Sequence, residues 1–183
     1  MKILVEPPKS YWRFAIRDVR GRIRARSPWT LNLNVTEGAL FLSDVYYGTA
    51  YAPYTAAWYV GICGPGAMTP ALTDTAAGIN TTNLWTEITA YVAAGRQPVT
   101  WGTPVPVAGL PWSGLPAIPG SVCSFVMTAS GVLQGGILIS NGTKGGTSGK
   151  LYAVDNGAGG LPYAAGETVT VQVTTGFVPG GPG

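Results

Sequence analysis

Apolar and polar residues alternate along residues 11–26, with Trp12, Phe14 and Ile16 on one side of an extended chain and Arg13 and Arg17 on the other. A two-residue turn at Arg20-Gly21 predicts a hairpin in which Ile16 faces Ala25 and Arg17 faces Arg24. The hairpin then has an apolar face (Trp12, Phe14, Ile16, Ile23, Ala25) and an arginine face (Arg13, Arg17, Arg22, Arg24, Arg26). Like charges placed opposite each other weaken a sheet, so the arginine face calls for something acidic against it. A merely solvated strand face is the plainer alternative.

Helical spacing occurs once, in the stretch NLNVTEGALFLSDVYYG. Asn34 can cap, Glu37 sits at the reciprocal position, and Gly48 supplies the stop, which predicts one short helix near 35–47. Elsewhere the pattern is β. AAWYVGICG (56–64) is an apolar run of the buried-strand type, and LWTEITAYV (84–92) and SVCSFVMTAS (121–130) alternate. GGILISN, KLYAV and ETVTVQVTTGFV follow, the last with Val169, Val171 and Val173 directed inward. Short strands between glycine-rich turns predict a mainly β protein, an antiparallel β-sandwich or jelly-roll-like domain. The expected organisation is a basic arm over 1–29, the sandwich with its helix over 30–178, and a flexible tail over 179–183. Residues 64–83 and the proline-rich 102–120 do not fit a sheet and are expected to be long, partner-facing loops.

Composition sharpens this picture. Only 10% of the 183 residues are charged, against about 25% in ordinary soluble domains. A surface so poor in charge invites coverage by partners. Arginine is also concentrated: Arg13, Arg17, Arg20, Arg22, Arg24 and Arg26 precede Trp29, and only Arg96 follows it. Residues 1–26 carry a net +6 and the remainder −3. The first residues, MKILVEPPKS, do not resemble a secretory signal. No apolar run approaches the roughly 20 residues of a membrane-spanning helix. Cys63 and Cys123 lack metal-ligand spacing and are expected as free buried thiols, with a disulfide the alternative.

The chain contains no histidine, which removes Ser-His-Asp and Cys-His catalysis and imidazole metal sites. Its eight acids show no Asp-x-Asp or Glu-x-x-Glu pairing. GTKGGTSGK (142–150) lacks the order of a phosphate loop and reads as a hairpin loop. No enzyme, metal or cofactor is expected.

The order of segments carries a resemblance. SPWTLNLNVTEGALFLSDVYYG, then AAWYVGICG, LWTEITAY, RQPVTW and GGTSGKLYA, resemble a family of small structural proteins of tailed bacteriophages. The matches are Leu42, Asp44, Val45; Trp58, Tyr59, Val60, Gly61; Trp85, Thr86, Glu87, Tyr91; Arg96, Trp101; and Thr143 to Tyr152. They span roughly residues 28–175, while Cys63 and the 102–120 segment depart from the pattern. The resemblance implies a virion component assembled in the host bacterial cytoplasm. A capsid decoration (cement) protein is expected to grip the major capsid protein, or other virion proteins, through Trp12, Arg13, Arg17, Arg20, Arg22, Arg24 and Arg26 and through Pro104, Pro106 and Trp112. The alternative is a tail, collar or fibre-attachment component that stacks Trp85, Trp101 and Trp112 on a receptor or glycan. Self-association as a dimer or trimer suits either role. Direct nucleic-acid binding fits less well, because no recognised module accompanies the arginines and the body is acidic.

Overall fold

The computed structural model describes residues 9–38, 57–66, 69–81, 86–103, 105–106 and 116–176. In chain order its first strands are β1 (Lys9–Arg17), β2 (Ile23–Arg26), β3 (Thr30–Leu31), β4 (Leu33–Asn34), β5 (Trp58–Cys63), β6 (Gln97–Val99) and β7 (Val105–Pro106). They are followed by β8 (Pro116–Pro119), β9 (Cys123–Val126), β10 (Gly131–Leu133), β11 (Gly135–Ile139), β12 (Leu151–Asp155), β13 (Leu161–Tyr163) and β14 (Thr168–Gly176). The larger sheet runs β2-β1-β14-β8-β7, with β3 also beside β1 and β9 also beside β14. The second runs β4-β12-β11-β5-β6, and β10 and β13 pair on their own. All of these pairings are antiparallel. The protein is a mainly β, sandwich-like domain.

The sequence pattern explains which faces meet. Trp12, Phe14 and Ile16 of β1 join Val169, Val171 and Val173 of β14 on the inner face of the larger sheet. Val60, Ile62, Leu138 and Ala153 oppose them from the second sheet. Gly136 lets the sheets close, since a Cβ there would lie 2.7 Å from Trp12 Cζ3. The second sheet is apolar on its other side too, where Ile137, Ile139, Leu151 and Val154 pack with Val35, Ala76 and Ile79. Every residue of β11 and β12 is therefore buried, which accounts for their continuous rather than alternating apolar runs.

Several expectations change. Residues 9–17 are not part of a separate arm. They pair with β14 over nine positions and lie deep in the larger sheet, because Trp12, Phe14 and Ile16 bury more apolar surface there than an exposed hairpin allows. The alternating stretch 84–92 forms no strand over its described part. It makes isolated bridges at Glu87–Cys63 and Tyr91–Met127, and Glu87 and Ile88 are both buried, which breaks the alternation. Part of the proline-rich 102–120 segment is sheet: β7 pairs with β8, and β8 with β14. Proline is tolerated at Pro106 because β7 is an edge strand, and at Pro116 because it is the first residue of β8. Residues 69–81 carry a 3-10 turn, Ala76–Gly78, that covers the second sheet.

The expected helix begins at 36–38, but residues 39–47 lie outside the described residues, as do 179–183. Glu37, read as the reciprocal capping residue, is engaged beyond its own turn. Its Oε2 accepts from the backbone N–H of Ala76 (3.0 Å) and of Leu151 (2.9 Å), tying the covering segment to β12.

Asp155 at the end of β12 is buried and accepts hydrogen bonds from Thr30 Oγ1 and Gly157 N–H. Burial outweighs these bonds and pushes its carboxyl up from 3.8 to about 6. A folded state that holds a proton more tightly than the unfolded chain loses stability as pH rises from about 4 to about 6, here by about 3 kcal/mol. Asp155→Asn keeps an acceptor for Gly157 and a polar contact for Thr30. Relative to wild type it should gain stability across that window and hold the gain above it. Denaturant midpoints at pH 4 and pH 7 that shift equally in both proteins would refute this.

Candidate partner interface

The hairpin forms with the expected Ile16–Ala25 pair, but Arg17 faces Ile23 instead of Arg24. A bulge between these pairs removes the like-charge opposition. Asp18 builds the turn. Its Oδ1 accepts from Arg20 N–H (2.9 Å) and Arg22 N–H (3.0 Å), and its Oδ2 accepts from Arg22 Nε (2.8 Å). The backbone N–H of Arg22, followed by its guanidinium, holds the Asp18 carboxyl below its usual range. Gly21 adopts φ 80°, which a residue with a Cβ takes up only under strain.

The arginines expected to act together divide into two groups. Arg24 forks onto Glu167, with Nε–Oε1 2.8 Å and Nη2–Oε2 2.7 Å, and Nη2 also reaches Pro162 O at 2.6 Å. That fork draws the Glu167 carboxyl down and raises the Arg24 guanidinium. Arg13 donates to Gln172 Oε1 (2.9 Å) and lies 4.4 Å over the Trp29 ring. Arg17 Nη1 donates to Gly21 O, and Arg22 is held by Asp18. The guanidinium groups of Arg20 and Arg26 make no hydrogen bond or ion pair among the described residues, although Arg20 N–H serves the turn. Trp12, expected to touch a partner, is fully buried in the chain's own core. Pro104 and Trp112 lie outside the described residues; Pro106 belongs to β7.

A second cluster was not foreseen as a cluster. Glu87 and Arg96 form a fork with Nε–Oε1 2.9 Å and Nη2–Oε2 2.6 Å, and both side chains are wholly buried. Arg96 also donates to Asn141 O (2.9 Å) and Gly146 O (2.6 Å), while Gly145 N–H donates to Glu87 Oε2 (2.8 Å). Lys144 donates to the carbonyls of Tyr91 and Ala93 and sits 4.4 Å from the Tyr91 ring centroid. The loop between β11 and β12 is thus bolted onto segment 87–96. The available signal was that Arg96 is the only arginine beyond the hairpin.

Tyr91 packs edge-on against Phe125 with ring centroids 5.0 Å apart, and its hydroxyl is buried without a hydrogen-bond partner among the described residues. Burial raises its ionisation well above the ordinary value. Tyr91→Phe keeps the ring contacts and removes the orphaned hydroxyl. It should stabilise the fold by about 1 kcal/mol, read from the urea midpoint. A loss of similar size would mean the hydroxyl has a partner.

Cys63 and Cys123 are free and buried. Burial pushes the Cys63 thiol up strongly and the Cys123 thiol to about 12, so neither is a nucleophile at neutral pH. The described tryptophans are engaged within the chain. Trp29 lies under Arg13, Trp58 packs on Tyr152 and Trp101 rests against the core. Comparison with protein-family models, with curated proteins and with solved structures returned no match.

Proposed function

We propose that this chain is a structural component of a tailed-bacteriophage virion, a decoration protein that sits on the head and holds neighbouring major capsid subunits together. The observation that carries the proposal is the sealed Glu87–Arg96 cluster. It is assembled from the segments in which the likeness to phage structural proteins lies: Glu87 and Tyr91, Arg96, and the loop from Thr143. What these segments build is a brace with both charges buried and every contact internal, suited to stiffening a plug rather than to meeting a substrate. The arginine-rich hairpin then supplies the face that meets an acidic neighbour.

A tail or fibre-attachment role has less support, because Trp101 rests against the chain's own core and is not offered as a sugar-stacking platform. Densitometry of purified particles tests the proposal. A decoration protein matches the major capsid protein in copy number, and its removal makes heads sensitive to heat or chelation until it is added back. The small copy number set by the rotational symmetry of a tail would favour the second role. Absence from purified particles would overturn both.

A further inference from the structure

Charge is distributed so that Arg22 and Arg24 meet carboxylates of their own chain, while Arg20 and Arg26 meet none among the described residues. The six described carboxylates, Asp18, Glu37, Asp74, Glu87, Asp155 and Glu167, all accept hydrogen bonds from within the chain. Four of them are buried. The arginines are not matched in the same way, since Arg20 and Arg26 are left without an acceptor among the described residues. Arg26 closes β2, which among the described residues pairs with β1 alone and forms the edge of the larger sheet.

Its backbone is open as well. Ser27 N–H donates to Phe14 O at 2.9 Å. Antiparallel alternation therefore turns the N–H and C=O of Arg26, opposite Ala15, away from β1. Ile23 on the same strand is 41% exposed.

We propose that the β2 edge, Ile23–Arg26, is a docking strand for an extended acidic segment of a different protein. That segment pairs with the open backbone at Arg26 and sets its carboxylates against Arg26 and Arg20. A second copy of this chain does not fit. Two β2 edges would bring Arg24 and Arg26 against their counterparts, and no described carboxylate is free to compensate. An edge fringed with arginine rejects most strands and accepts one of opposite charge, which makes it selective. The proposal deepens the virion reading by naming the chemistry of the neighbour, and it depends on that reading only for which protein supplies the segment.

The test uses the full chain and three labelled probes: a peptide alternating Glu and Val, one alternating Lys and Val, and a DNA duplex of matched charge. Binding is followed by fluorescence anisotropy, and backbone protection by hydrogen exchange. The Glu–Val peptide should bind best, protect amides within 23–27, and lose about tenfold in affinity in the Arg20→Ser/Arg26→Ser double variant, equivalent to about 1.4 kcal/mol. Neither guanidinium has an acceptor among the described residues, so the variant should melt with the wild type. An Arg24→Ser variant, which loses the Glu167 fork, separates fold damage from lost binding. The proposal fails if the Lys–Val peptide or the duplex binds equally well, if no probe binds, if the double variant binds like wild type, or if amides 23–27 remain unprotected. Peptide binding by a protein absent from purified particles would sink the virion reading and leave the docking strand standing.

Discussion

Trp12→Ala is expected to destabilise the protein by about 3–5 kcal/mol, a large part of the 5–15 kcal/mol that holds an ordinary domain folded. The indole is fully buried between the two sheets, stacks on Phe14 at 5.9 Å between ring centroids, and rests on Gly136. Its Nε1 donates to the Asn32 side chain at 2.8 Å in the amide orientation that satisfies both ends of that residue. Truncation removes these contacts and leaves a cavity that the paired sheets cannot close. Trp12→Phe should cost less, since it fills most of the space and forfeits the hydrogen bond. Gly136→Ala approaches the same contact from the other side and should cost about 1–3 kcal/mol by overpacking. Chemical denaturation measures all three. If residues 9–17 were an external arm, Trp12→Ala would leave the unfolding midpoint unchanged and weaken only association, and that outcome would contradict the structure.

The second large effect concerns Arg96. Arg96→Met leaves the Glu87 carboxylate buried with, among the described residues, the Gly145 N–H alone to answer it. Removing one partner of a buried ion pair costs about 3–5 kcal/mol, more than the intact pair contributes over an apolar replacement. The carbonyls of Asn141 and Gly146 lose their donor in the same step. The loop between β11 and β12 should therefore loosen, with faster amide exchange over 141–149. Glu87→Gln combined with Arg96→Met should recover part of the loss, because the double variant no longer buries an unanswered charge. Additive costs would show that the two side chains do not act on each other.

Much of the fold is legible in the sequence, and the exceptions share a cause. Alternation located β9, with Cys123 and Phe125 inward and Ser124 and Val126 outward, and the inward valines of β14. Apolar runs located β5, β11 and β12. The 84–92 stretch misled because Glu87 takes an inward position for the sake of Arg96, nine residues away, and a two-residue period has no means of expressing an ion pair. Sequence placed Trp12, Phe14 and Ile16 on one face but not on what they pack against. That answer lay in β14, at the far end of the chain. The arginine cluster was visible, whereas its division was not. Asp18 is a near neighbour that a turn can recruit, but Glu167 reaches Arg24 only through tertiary structure.

The pairing of β1 with β14 has a consequence for how the protein is made. Residues 9–17 leave the ribosome ahead of residues 168–176 and wait for them, which at about 5–20 residues per second takes on the order of ten seconds. Until then a nascent ribbon carrying Trp12, Phe14 and Ile16 has no native neighbour on one flank and is open to chaperones or to other nascent chains. The final closure joins sequence-distant partners, which places this domain among slow folders. Its yield in the cell should respond more to chaperone supply and to the rate of translation than its core alone implies.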